Sequence, residues 1–250
     1  VEEYAKLLTG IAAFVGAVAW PVSVIAIVYI FKNELRSVLR MIPTMLDRVK
    51  KASLAGVALE LDRVANAEVE TGPDKGGKIT PQQIESARRI AIETRDVSPQ
   101  TLLGELDRLC LEYDSLRRTL PPGENRTRAM TRVIVKMRAL APSLVDFLDV
   151  YKGSGSPGSR LAAIAMMQMV PRVADLVWLR ERFSAEQPFV FYHAALALQN
   201  VANISDTREK REHLRDLARQ ALTTVKNFPG GTPDRGTIEV LEALISSLPQ

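Results

Sequence analysis

The chain has 250 residues, with 33 Lys and Arg against 29 Asp and Glu, so its formal charge is only +4. That excess is too small for a dedicated nucleic-acid binder, and 46% apolar with 25% charged residues exclude wholesale disorder. One cysteine, Cys110, excludes an intramolecular disulfide framework and any multi-cysteine metal site; His193 and His213 leave little material for histidine chemistry.

The first strong signal is the stretch from Leu7 to Phe31, bounded by Lys6 and Lys32 and free of charge. As a helix at ~1.5 Å per residue it spans roughly 37 Å, enough for a ~30 Å hydrocarbon core with some tilt. Residues 1–31 are therefore expected to form an N-terminal tail and a transmembrane helix, kinked at Pro21. A cleaved signal peptide is suggested by Ala17-Val18-Ala19, but the acidic Val1-Glu2-Glu3 start and the apolar run beyond Ala19 oppose it. Ala12 and Gly16, and Ala13 and Ala17, are spaced to offer small faces for close helix packing in lipid.

Residues 32–66 follow as a basic juxtamembrane segment. Lys32, Arg36, Arg40, Arg48, Lys50 and Lys51 outnumber Glu34 and Asp47. By the positive-inside rule this predicts a single-pass membrane protein, N-terminus outside and C-terminal domain in the cytoplasm. Leu35, Ile42 and Val49 recur at heptad spacing, as do Val38, Met45 and Ala52, although Pro43 interrupts the seam. The pattern fits an oligomeric stalk, a helix lying on anionic lipid, or a plain stop-transfer flank, and all three stay open. After Gly56, alternation of Val57, Leu59 and Leu61 with Ala58, Glu60 and Asp62 predicts a short strand. The basic segment leading into this stretch, Lys50-Lys51-Ala52-Ser53-Leu54-Ala55-Gly56-Val57, resembles that of small bacterial single-pass membrane proteins, and the resemblance implies a bacterial inner (cytoplasmic) membrane. Residues 67–83, with Gly72-Pro73, Gly76-Gly77 and Pro81, read as a flexible linker.

From 84 to 250 the chain reads as helix after helix, so the fold class is all-α. Apolar spacings of three and four predict helices over Ile84–Arg95, Thr101–Leu120 and Thr127–Tyr151, with Pro142 a break or kink in the third. Leu161-Ala162-Ala163-Ile164-Ala165-Met166 echoes His193-Ala194-Ala195-Leu196-Ala197-Leu198. Each is followed by an amphipathic helix, roughly Val173–Phe183 and Arg208–Lys226, and Thr237–Leu248 begins a third unit. Small residues on aliphatic helices permit the close approach that stacked helix pairs require. The pattern resembles HEAT-like α-solenoid repeats; an irregular helical bundle remains the alternative.

Gly153, Gly155 and Gly158 match the letters of a dinucleotide-binding loop, but a helical segment precedes them and no strand follows. They read instead as an inter-helix loop, with Ser156 or Ser159 as the helix cap. His193, among apolar neighbours, reads as a packed or partly exposed helix residue, His213 as solvated, and Cys110 as a core thiol. One charge cluster stands out. Arg128, Arg132 and Lys136 repeat every four residues as a basic stripe, with Arg117, Arg118, Arg126 and Arg138 close in sequence. It suits an anionic ligand, an acidic protein partner or the lipid bilayer, or is simply a solvated helix face; specific nucleic-acid binding is not expected.

The expectation is therefore a non-enzymatic, cofactor-free membrane adaptor whose helical domain holds a protein partner at the bilayer. The alternative is a homo-oligomerising membrane effector that answers a ligand or partner and perturbs the bilayer through Ala12, Gly16 and the Leu35/Ile42/Val49 seam. Single-pass proteins of this layout are often associated with bacterial defence systems, which is what the resemblance implies for the second reading.

Overall fold

A computed structural model describes Tyr29 and residues 56–67, 79–229 and 234–248. The chain divides into two compact units, 1–53 and 54–250. In the first, Tyr29 is helical and exposed. The expected span, Ala12 and Gly16, and the Leu35/Ile42/Val49 seam lie outside the described residues. Among the described residues no helix is long and apolar enough to cross a membrane.

Every regular element among the described residues of the second unit is a helix. Helix α1 covers 56–67. It is followed by α2 (Pro81–Glu93), α3 (Pro99–Thr119), α4 (Glu124–Leu144), a 3-10 turn, α5 (Leu148–Lys152) and α6 (Pro157–Met169). A second 3-10 turn leads to α7 (Leu176–Ala185), α8 (Pro188–Ile204), α9 (Arg208–Lys226) and α10 (Arg235–Ser247). Local chemistry sets the starts. Thr80, Ser156, Asp175, Thr207 and Asp234 each accept a first-turn amide, and proline opens α2, α3, α6 and α8. The long third helix expected over Thr127–Tyr151 instead ends at Leu144. Pro142 supplies no amide to the ladder, and the chain continues through the 3-10 turn Val145–Phe147.

The strand expected over 57–61 is a helix. A strand would place Val57, Leu59 and Leu61 on one face, yet Leu59 is 71% exposed while Val57, Leu61, Val64 and Ala65 are buried. Those four recur at three- and four-residue spacing, and the period of the helix decides. On its outer side Glu60 accepts from Arg63 at 2.8 Å and from Arg89 of α2, which ties α1 to α2.

Helix α4 sits at the centre of one half, packed against α2, α3 and α6; α6 then packs on α8, and α8 on α7 and α10. The two Ala-rich segments noted in the sequence lie on α6 and α8, which touch each other. Leu161 to Met167 are all 1% exposed or less, so α6 is enclosed on every side. That is the pattern of a core helix rather than a surface one. Each fully buried Leu or Ile there stabilises by roughly 1.5–3 kcal/mol, and the intervening alanines let neighbouring backbones come close.

Candidate functional site

The glycine-rich loop before α6 is a packing device. Asp114 of α3 already occupies the start of α6, accepting from the Gly158 amide at 2.9 Å and the Ser156 hydroxyl at 2.5 Å. A carboxylate thus fills the place a pyrophosphate would need. A Cβ on Gly158 would lie 2.2 Å from the Cys110 carbonyl oxygen, so this glycine sets the crossing of α3 and α6. Gly155 meets nothing within 4 Å. The Cys110 thiol beneath is buried, and burial pushes its pKa up to about 12, so it is a core residue rather than a nucleophile. Among the described residues no group of three or more His, Cys, Asp or Glu could hold a metal ion.

The basic stripe divides into three environments. Arg128 is exposed and pairs with Glu124 at 2.6 Å, one turn earlier on α4. Arg132 and Arg118 face solvent. Lys136 is largely covered and pairs with Asp62 of α1 at 2.5 Å, which fastens α1 across α4. Arg138, grouped with this cluster in the sequence, is 0% exposed. Its Nε donates to Gln168 Oε1 at 2.7 Å and Nη1 to Gln83 Oε1 at 3.3 Å; Nη2 lies 3.3 Å from His193 Nδ1. The guanidinium has only donors, so His193 Nδ1 accepts and its proton sits on Nε2. Gln168 in turn donates to the His193 carbonyl at 2.7 Å. This network joins α2, α4, α6 and α8 at the middle of the fold. Burial, and then the charge of Arg138, holds the His193 pKa well below its ordinary value, so the ring stays neutral.

Arg117, in the last turn of α3, and Arg126, in the first turns of α4, line a cleft of about 170 Å³. The loop between the two helices is Leu120-Pro121-Pro122-Gly123. Gly123 has φ 150° and ψ −177°, a backbone region that only glycine enters without strain. Arg126 Nη1 donates to the Leu120 carbonyl at 3.4 Å, which turns that side chain back across the loop. The start of α8 also lines the cleft, with Gln187, Phe189 and Tyr192. Phe189 and Tyr192 are three apart and share a helix face. Asp234 also lines the cleft, and its Oδ2 caps α10, accepting from the Thr237 amide at 3.1 Å and from the Thr237 hydroxyl.

Below the cleft the ring of Phe189 lies 5.9 Å from Tyr113 and 4.6 Å from His193, edge to face. Burial pushes the Tyr113 phenol up to about 12, and the nearby Arg117 guanidinium opposes the rise. The lining of the cleft therefore rests directly on the buried Arg138 network.

Of the residues singled out in the sequence, Arg117 lines the cleft and Arg118, Arg128 and Arg132 do not. Arg126 is the second cationic member, and the aromatic wall was not anticipated. The spacing did carry a signal: Arg126 and Met130 are four apart on the buried side of α4, and both line the cleft. Comparison with known proteins places nothing beside this arrangement: no family model, no curated protein and no solved structure matches the chain.

Proposed function

We propose that the chain is a non-enzymatic, single-pass adaptor of a bacterial inner membrane. Its helical domain, HEAT-like in the stacking of α6 on α8, binds a protein partner. The observation that carries this reading is the Arg117/Arg126 cleft with its Phe189/Tyr192 wall. Two guanidinium groups beside aromatic faces make an anchor for an anionic group on a flat or apolar stem. The volume favours an anchor over a whole small-molecule site: about 170 Å³ is well under the roughly 300–1,000 Å³ such sites occupy. The uncharged stretch Leu7–Phe31 and the basic residues from Lys32 to Lys51 support the membrane tether and its orientation.

A second reading, the ligand-triggered homo-oligomeric effector, is favoured by the small face at Ala12 and Gly16 and the Leu35/Ile42/Val49 seam. Crosslinking of the full-length protein in membranes, with partner capture measured in parallel, separates the two. Gly16→Leu obstructs close packing and Leu35→Glu places a charge in the seam. The adaptor retains its partner in both variants. Loss of self-association together with loss of function and partner would instead establish the effector.

A further inference from the structure

The cleft carries a more specific assignment, which rests on the adaptor reading. Two guanidinium side chains, from the ends of two different helices, face one cavity too small for a nucleotide. A carboxylate brings one negative charge and two oxygens, which a single bidentate guanidinium can engage together. A phosphomonoester has three terminal oxygens and a charge near −2 at neutral pH, and it uses both forks. Phe189 and Tyr192, one turn apart at the start of α8, present flat apolar surface to whatever carries the phosphoryl group. Asp234 also lines the cleft and keeps its charge, with Oδ2 accepting from the Thr237 amide and hydroxyl, and the two arginines leave the lining net positive. We propose that the Arg117/Arg126 cleft is a receptor for an aryl phosphomonoester, with the phosphoryl group between the guanidiniums and the ring against Phe189 and Tyr192. That chemistry is carried by small phenolic phosphates and by a phosphorylated tyrosine on a partner.

The test is calorimetric titration of the full chain in detergent micelles with phenyl phosphate, inorganic phosphate and benzoate. Phenyl phosphate should bind saturably, and at least tenfold more tightly than either of the others. Inorganic phosphate lacks the ring and benzoate lacks the third oxygen and second charge. Arg117→Gln and Arg126→Gln should each weaken phenyl phosphate at least tenfold, while Arg132→Gln, outside the cleft, should leave it unchanged. Arg126 also bonds the Leu120 carbonyl. If Arg126→Gln lowers the thermal midpoint, Arg117→Gln alone decides. A phosphotyrosine peptide that binds more tightly than phenyl phosphate makes a partner side chain the source; a peptide that binds no better makes it a small ester. Absence of saturable phenyl phosphate binding to the wild type overturns the assignment, as does undiminished binding by Arg117→Gln. A partner that still crosslinks at the cleft in that event leaves the adaptor reading standing and removes only the ligand class.

Discussion

Replacing Gly158 with alanine tests the claim that this residue is there for packing. The added Cβ would lie 2.2 Å from the Cys110 carbonyl oxygen, 2.8 Å from its carbonyl carbon and 2.9 Å from its Cα. All three atoms belong to the backbone of α3, so no side-chain rotation relieves the clash. The helices must separate by about 1 Å to restore van der Waals distance, and overpacking of this kind costs about 1–3 kcal/mol. Glycine to alanine within a helix ordinarily gains up to about 1 kcal/mol, so destabilisation here runs against the propensity trend. For a domain of this size each kcal/mol moves the melting midpoint by about 2–4 °C, which predicts a fall of roughly 2–12 °C. The assay is thermal melting of the full chain in micelles, followed by circular dichroism. Gly155→Ala is the control, since its Cβ meets nothing within 4 Å, and its midpoint should stay near wild type. A Gly158→Ala midpoint equal to or above wild type would refute the packing account.

Arg138→Met should destabilise the fold by about 3 kcal/mol or more in urea, because it strips charged donors from Gln168, Gln83 and His193 inside the core; a loss under about 1 kcal/mol would contradict the network. His193 has a folded pKa well below the ordinary 6.5, so the unfolded chain takes up its proton first as the pH falls. Its contribution is therefore complete above about pH 6.5 and declines below it, toward a limiting slope of about 1.4 kcal/mol per pH unit. His193→Gln should flatten that part of the stability profile, and an unchanged profile would count against it. The Cys110 thiol, buried and raised to about 12, should be inert to a disulfide reagent at pH ~8 in the native chain and react fully once unfolded.

What the sequence reveals and conceals follows from which signals are local. The start of α6 is legible because serine followed by proline acts within a few residues, as at Ser156-Pro157, whereas α2 begins at Thr80-Pro81, inside the stretch that reads as linker and ahead of the expected Ile84. The α1 misreading came from too short a window. Val57, Leu59 and Leu61 fit a period of two, and only Val64 and Ala65 reveal the helical face. Arg138 looked like part of a surface cluster because it is near Lys136 in sequence. Its helix spacing, four from Ile134 and three from Ala141, in fact places it on the buried face. Lys136 was misassigned to an open stripe for a different reason. Its partner Asp62 lies in another helix, and no local pattern announces such a contact. The aromatic wall was concealed in the same way, since Phe189 and Tyr192 become a binding surface only when α8 is set against the ends of α3 and α4.

Site-specific photocrosslinking in cells bears most directly on the central claim, that the Arg117/Arg126 cleft is where this protein holds its partner. A photoreactive phenylalanine analogue replaces Tyr192 on the cleft wall or, for comparison, Val150, which is 70% exposed and does not line the cleft. The account predicts a discrete adduct from position 192 in the membrane fraction, lost when Arg117→Gln is added, and none from position 150. No adduct at 192, or an adduct there that survives Arg117→Gln, would contradict it.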